Sequence, residues 1–194
     1  MNLLHIDSST LGAHSVSPEL SGAVVKEWKR AHAGAKVTYR DVAAQPLPHG
    51  MPVADAGDSA ARLGGDVLDE FLAADVVVSG APMYNFGVPR ALKARIDRIA
   101  VAGKTFRYGT NGPEGLAGDK RVIIASSRGG FYGAGTPGAA ADFQETYLRQ
   151  LFGFLGVSDI EIIRAEGVNI SAEQKAQAIA AMHAAIRANE RLAA

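Results

Sequence analysis

The sequence predicts a doubly wound α/β domain, in which a five-stranded parallel sheet of order 2-1-3-4-5 carries helices on both faces. Five short apolar segments alternate with segments of helical spacing along the 194 residues. Two of the apolar segments, 75–80 and 120–126, are continuous runs rich in β-branched residues, as is typical of strands buried on both faces. Strands that alternate with helices pair in parallel, because each parallel return requires a crossover. We expect a single domain over residues 1–194.

Apolar spacing and end signals place the elements of the first half. Ser17 and Pro18 are suited to begin a helix, with a hydroxyl as the N-cap and a proline in the first turn. Asp58 and Ser59 are suited to cap the following helix. The expected elements are a strand over 3–6, a helix over 17–33, a strand over 36–41, a surface loop over 43–57 and a helix from 59 to about 74.

The second half continues the alternation and adds one excursion. Turn chemistry at 111–113 predicts a short hairpin before the fourth strand. Ser171 and Gln174 have the spacing of a capping box. The expected elements are a strand over 75–80, a loop over 81–89, a helix over 90–99, the excursion over 103–118, a strand over 120–126, a loop over 127–138, a helix over 142–156, a strand over 158–166 and a final helix from 171.

The loop after the third strand, 81–89, is the centre of the predicted site. In the flavodoxin-like strand order, the loops after strands one, three and four meet at the rim where such sheets bind ligands. Two prolines stiffen the loop over 81–89, so its amide groups are held in fixed positions against a flat ligand. Met83, Tyr84 and Phe86 supply large side chains there. The alternative is a turn whose aromatic residues only cap the core.

The loop after the first strand is rich in hydroxyl groups and ends at the start of a helix. Its hydroxyl residues are Ser8, Ser9, Thr10, Ser15 and Ser17. Free amide groups and the helix dipole attract phosphate at such a position. Because no lysine or arginine precedes Lys26, one phosphate monoester suits this loop better than a polyphosphate. An ordinary serine-rich turn remains the alternative.

The loop after the fourth strand begins with the segment 127–130, Ser-Arg-Gly-Gly. Its glycines allow a close approach of the backbone to a ligand. We expect Arg128 to supply a charge, and Phe131 or Tyr132 to cover a ring. The alternative is a glycine-rich connection with a solvent-exposed arginine.

Composition excludes several classes of function. The formal net charge is zero, so no global field favours nucleic acid or a membrane surface as a partner. The chain has no cysteine and its histidines are scattered, so we expect no disulfide, no thiolate nucleophile and no metal site. It begins with a strand pattern rather than a signal peptide and has no membrane-spanning run. We therefore expect a cytoplasmic protein.

Two nucleotide-binding motifs fail on context. The segment 133–138 matches G-x-G-x-x-G, but it begins about six residues after its strand and contains Pro137. Gly103-Lys104-Thr105 resembles the end of a Walker A loop, but Arg98 stands where that loop requires a glycine. Neither a dinucleotide fingerprint nor a triphosphate loop is expected.

Taken together, the three loops resemble the FMN-dependent NADH:quinone oxidoreductase/azoreductase family. The resemblance is carried by Ser9, by Ser-Val-Ser at 15–17, by Pro-Met-Tyr-Asn-Phe at 82–86 and by the segment 127–130, in order and at suitable separations. Phe-Arg-Tyr at 106–108, Asn-Gly-Pro-Glu-Gly at 111–115 and Ala-Glu-Gly at 165–167 are also similar. The resemblance covers nearly the whole chain.

The resemblance implies a site for one non-covalently bound FMN. Its implied binding residues are Ser9, Ser15, Val16 and Ser17 for the phosphate and ribityl groups, Met83, Tyr84, Asn85 and Phe86 along the isoalloxazine, and Ser127, Arg128, Gly129 and Gly130 at the other edge. The implied enzyme takes hydride from NADH and reduces quinones or cleaves aromatic azo compounds by a ping-pong mechanism. No acid–base constellation is present, so no side chain is expected to be catalytic.

A second class of function stays open, a flavodoxin-like electron carrier or redox-sensing module without turnover of a small substrate. Such carriers usually expose an acidic face, whereas this chain is charge-balanced, which favours the enzyme. The resemblance also implies a homodimer with FMN at the interface. We expect Phe86, Phe106, Tyr108, Phe131 and Tyr132 to lie near the rim, where so many aromatic residues would mark an interface or a ligand groove.

Overall fold

The computed structural model describes residues 1–48 and 59–192 and shows one five-stranded parallel sheet and a separate two-stranded hairpin. The sheet order is β2-β1-β3-β6-β7, so the predicted order 2-1-3-4-5 is confirmed when the sheet strands are counted along the chain. The elements are β1 (Asn2–Asp7), α1 (Ser17–Ala31), β2 (Lys36–Asp41), α2 (Ser59–Ala73), β3 (Val76–Pro82), α3 (Arg90–Ile99), β4 (Phe106–Gly109), β5 (Gly112–Gly115), β6 (Arg121–Ser127), α4 (Phe143–Phe154), β7 (Asp159–Ala165) and α5 (Ala172–Arg187).

Two apolar cores lie on opposite faces of the sheet. Successive side chains of a strand point to opposite faces, so Val76 and Val78 of β3 pack with α1 and α5, whereas Val77 packs with α2, α3 and α4. Trp28 is the largest side chain of the first core, and Phe71 is fully buried in the second. Every residue of β3 is buried, which explains why this strand appears in the sequence as a continuous apolar run.

The helix ends confirm the predicted cap at Ser171 and contradict the predicted cap at Ser17. Ser171 caps α5, because its hydroxyl accepts a hydrogen bond of 3.0 Å from the Gln174 amide. Asp142, predicted as the first residue of its helix, is instead the N-cap of α4. The prediction that Ser17 is an N-cap is wrong: Ser17 is the first helical residue, and Val16 precedes it without a side-chain cap. The proposed cap at Asp58 and residues 49–57 of the predicted loop lie outside the described residues.

The predicted hairpin is present as β4 and β5, within the predicted segment 103–118. Its position relative to the rim differs from the prediction. It follows the end of α3, where the Thr105 hydroxyl donates to the Ile99 carbonyl, and the ring of Phe106 packs on Phe154 at the end of α4. These anchors lie at the amino edge of the sheet, opposite the rim that carries the three loops. The prediction that Phe106 lies near that rim is therefore wrong within one chain.

Candidate functional site

The loops after β1, β3 and β6 meet at one rim of the sheet and are joined by hydrogen bonds. The hydroxyls of Ser9 and Tyr84 are 2.9 Å apart, and the amide of Thr10 donates to the same Tyr84 hydroxyl at 3.1 Å. The amide of Met83 donates to the carbonyl of Ser127 at 2.8 Å. The structure therefore brings together Ser9, Met83, Tyr84 and Ser127, which come from the three predicted loops.

The start of α1 carries a buried hydroxyl that has no partner. Ser17 is 0% exposed, and its Oγ makes no hydrogen bond in the described part of the chain. Ser8 is different, because its hydroxyl donates to the Gly80 carbonyl at 2.7 Å. A buried hydroxyl without a partner is costly, and the first amide groups of a helix also lack intrahelical acceptors. This group of unpaired donors, at the positive end of the helix dipole, suits an anion of phosphate size.

The loop after β3 contains a tight two-residue turn in an unusual conformation. Tyr84 and Gly87 exchange two backbone hydrogen bonds of 3.0 Å, and Asn85 and Phe86 between them have φ values of 48° and 70°. Left-handed backbone at two successive non-glycine residues costs conformational energy, and such strain is concentrated at functional sites. The stiffness predicted from the prolines is thus reinforced by a turn that the residue types did not reveal.

We expect a Phe86→Gly variant to be more stable than a Phe86→Ala variant by about 1 kcal/mol. Both variants lose the half-exposed ring, but only alanine keeps a Cβ that the left-handed backbone disfavours. Urea unfolding of the two apoproteins measures the difference. Equal stabilities would contradict the turn conformation described above.

The loop after β6 presents glycine backbone to the rim. The carbonyls of Gly129 and Gly130 accept hydrogen bonds from the amides of Asn169 and Gly167, at 3.1 and 2.9 Å. A Cβ at Gly129 would lie 2.7 Å from the side-chain nitrogen of Asn169, so the Asn169 side chain would have to move to admit a larger residue. Within residues 1–48 and 59–192, no acceptor is found for the amides of Gly129 and Gly130, which leaves them available to a ligand.

The prediction that Arg128 supplies a charge to a ligand is wrong. Its side chain is 0% exposed and turns away from the rim into a cluster of carboxylates. Its Nη2 atom lies 2.8 Å from Asp142 and also pairs with Glu145, and Nη1 lies 3.4 Å from Glu166. The backbone of Arg128 is engaged as well, because its amide donates to the Ala165 carbonyl at 2.9 Å and its carbonyl accepts from the Val168 amide at 3.1 Å. The sequence interpretation missed Asp142 and Glu166 as partners, because the three residues are far apart in the chain.

A groove of about 890 Å³ adjoins the rim on the side of α3 and α4. It runs between the turn over 84–88 and α4, and its wall includes Phe143, which is 64% exposed, and Tyr147. Burial raises the pKa of Tyr147 to about 12, with a smaller contribution from Asp97. The Tyr147 hydroxyl therefore stays protonated at neutral pH.

The described residues contain neither a candidate metal site nor a candidate membrane-spanning helix. Among the side chains of the described residues, no group of three or more His, Asp or Glu residues could hold a metal ion. Over the same part of the chain, none of the helices combines the length and apolar character that crossing a membrane requires.

Comparisons with known proteins agree over nearly the full length. The model of a family described as having a flavodoxin-like fold matches residues 1–189. An FMN-dependent NADH:quinone oxidoreductase of Xanthomonas oryzae pv. oryzae is 54% identical over 192 residues, which are 98% of this chain and 97% of the relative. FMN-dependent NADH:quinone oxidoreductase 2 of Bradyrhizobium diazoefficiens is 54% identical over 190 residues, which are 93% of this chain and 94% of the relative.

Two solved structures have the same architecture. The azoreductase from Bacillus anthracis str. Sterne has a TM-score of 0.86 at 30% identity, and the match covers 96% of each chain. The azoreductase AzrA has a TM-score of 0.88 at 28% identity, and the match covers 100% of this chain and 99% of that one. The similarity therefore includes the hairpin and all three loops of the rim.

Proposed function

Because the chain belongs to the flavodoxin-like family that includes the FMN-dependent NADH:quinone oxidoreductases, we propose that it binds FMN at the three-loop rim and uses NADH to reduce quinones and aromatic azo compounds. The observation that carries the assignment to this rim is the buried, unpartnered hydroxyl of Ser17 at the start of α1. Without an anion, burial of this hydroxyl carries a desolvation penalty that no hydrogen bond offsets.

The residues of the rim divide into three groups according to the part of FMN that they suit. Hydroxyl and amide groups for the phosphate and ribityl chain would come from Ser9, Ser15, Val16 and Ser17. The surface along the ring would come from Met83, Tyr84, Asn85 and Phe86, and the other edge would be formed by Ser127, Gly129 and Gly130. We propose non-covalent binding, in keeping with the lack of any cysteine that could form a thioether link to the flavin. We also propose a cytoplasmic location.

FMN held at this rim would supply the two-electron redox chemistry between NADH and the acceptor. The residues of the protein would bind FMN and orient its ring. The hydrogen-bonded turn over 84–87 has a fixed backbone that would lie along the ring, and the amides of Gly129 and Gly130 would be available to donate at its edge. We assign no side chain as a catalytic acid. A single pocket would then admit NADH and the acceptor in turn.

Steady-state kinetics test this function. The purified protein, saturated with FMN, should oxidise NADH continuously when a benzoquinone is supplied. Double-reciprocal plots with NADH varied at several quinone concentrations should give parallel lines. Intersecting lines would contradict the alternation of substrates. A protein that takes up FMN but does not sustain turnover would instead support the electron-carrier alternative.

We further propose that the working unit is a homodimer that buries the groove beside the rim. Phe143 at the groove is 64% exposed. Large exposed apolar patches mark interfaces or ligand grooves, and two-fold pairing is the commonest way in which one chain buries its own patch. The groove is also open and continuous with the rim, so a second copy seated in it would border the FMN site.

A Phe143→Glu substitution should raise the dissociation constant of the dimer by about tenfold, because it places a charge in the proposed interface. Sedimentation velocity over a broad range of concentrations measures this change. The control is Arg149→Glu, which changes charge at an exposed position of the same helix. An unmodified protein that is monomeric and fully active at assay concentration would refute the dimer.

A further inference from the structure

The segment 131–142, which we call the strap, crosses from the rim to the start of α4 and is fixed at both ends. At its first end the amide of Tyr132 donates to Oε1 of Glu166 at 2.7 Å. At its last end Asp142 pairs with Arg128 at 2.8 Å. Glu166 also faces Arg128, at 3.4 Å. Both anchors therefore depend on one buried guanidinium, although they lie ten positions apart in the chain.

The strap places one aromatic ring between two loops of the rim. The ring of Tyr132 meets the ring of Phe86 edge to face, with centroids 6.0 Å apart. The same side chain lies over Gly130, where an added Cβ would be 3.3 Å from the Tyr132 hydroxyl. Tyr132 thus touches both the turn after β3 and the glycine backbone after β6, which are the two parts of the rim proposed to hold the ring of FMN.

Glu166 controls this position through the backbone rather than through the ring. Its carboxylate is the acceptor for the Tyr132 amide, and the ion pair with Arg128 limits its own movement. The fit is close, since an added Cβ at Gly133 would lie 2.9 Å from Oε2 of Glu166 and 3.3 Å from Arg164. A hydrogen bond from an amide to a charged carboxylate is stronger than one between neutral groups. Its loss releases the end of the strap that carries Tyr132.

From these contacts we infer that Glu166 is a positioning residue, which fixes Tyr132 at the mouth of the site and thereby sets how well the electron acceptor is held. This inference rests on the proposed function and adds a determinant of acceptor binding to it. Glu166 acts through Tyr132 and the strap, because Oε1 of its carboxylate is engaged with both Arg128 and the Tyr132 amide.

A double-mutant cycle with FMN-saturated protein tests the inference. Glu166→Ala and Tyr132→Ala should each raise the KM for a two-ring naphthoquinone by about tenfold with kcat changed much less, and the double variant should be no worse than either. The control is Glu161→Ala, which removes a carboxylate of β7, the strand that Glu166 follows; Glu161 pairs with Arg121 at 2.6 Å rather than with Arg128 or the strap. We expect the control to lower the melting temperature without raising KM.

Hydrogen exchange of the apoprotein supplies a second measurement that does not depend on turnover. The Tyr132 amide should exchange about a hundredfold faster in Glu166→Ala than in the unmodified protein or in Glu161→Ala. If Glu166→Ala fails to fold, Glu166→Gln serves in its place, since it keeps an acceptor but loses the charge. Unchanged exchange, or effects on KM that multiply in the double variant, would overturn the inference. Faster exchange in a protein that lacks quinone turnover would refute the proposed function and leave the anchoring role intact.

Discussion

Replacing Arg128 with methionine should lower the free energy of unfolding by about 4 kcal/mol, the largest loss that we expect from any single substitution described here. Methionine fills similar volume but leaves Asp142, Glu145 and Glu166 facing one another without their shared cation. Of these, Glu145 keeps a partner in Arg164. The other two lose a buried guanidinium that is 0% exposed and cannot be replaced by water at the same place.

Urea unfolding measures this loss against Arg149→Met, a control that removes an exposed arginine of α4 and should change stability by less than about 0.5 kcal/mol. Arg128→Lys should recover only part of the difference, because an ammonium group does not reproduce the fork with which a guanidinium pairs several carboxylates. A methionine variant as stable as its control would show that the buried cluster contributes little to folding.

Replacing Ser17 with alanine should weaken FMN binding by about 2 kcal/mol, or about 30-fold in Kd, while leaving the apoprotein as stable as before or slightly more stable. FMN affinity and apoprotein stability respond differently because the Ser17 hydroxyl has no hydrogen-bond partner in the described part of the chain. Its removal therefore does not lower the free energy of unfolding of the apoprotein. The phosphate of FMN would be the missing partner. Fluorescence titration with FMN and thermal unfolding of the apoprotein measure the two effects.

Ser171→Ala is the matched control, since it removes a hydroxyl at the start of another helix. Ser171 has a partner in the Gln174 amide, at 3.0 Å. Its loss should therefore lower stability by about 1 kcal/mol and leave FMN binding unchanged. If Ser17→Ala also lowered the stability of the apoprotein without affecting FMN, the phosphate would have to be placed elsewhere.

The sequence predicts where the candidate site lies and which loops form it. It predicts less well which way individual side chains point. The glycines after β6 and the hydroxyl-rich loop after β1 were predicted to face one rim, and they do. Arg128 was predicted to face it too, but its side chain points into the protein. Sequence reasoning identifies an arginine next to two glycines, but it does not show that Asp142 and Glu166 will be within reach of it.

The sequence by itself determined the alternation of strands and helices and their parallel pairing, because these follow from apolar spacing and from the rule that parallel strands need crossovers. Those are properties of neighbouring residues along the chain. The order 2-1-3-4-5 and the convergence of the three loops were predicted from the flavodoxin-like arrangement that five such units fit. Only the tertiary structure decided that Ser17 has no partner, that Asn85 and Phe86 are left-handed and that Tyr132 is held by Glu166. Each of these depends on groups that are distant in sequence or on the local backbone that the packed rim imposes, and neither is encoded in the spacing of residue types.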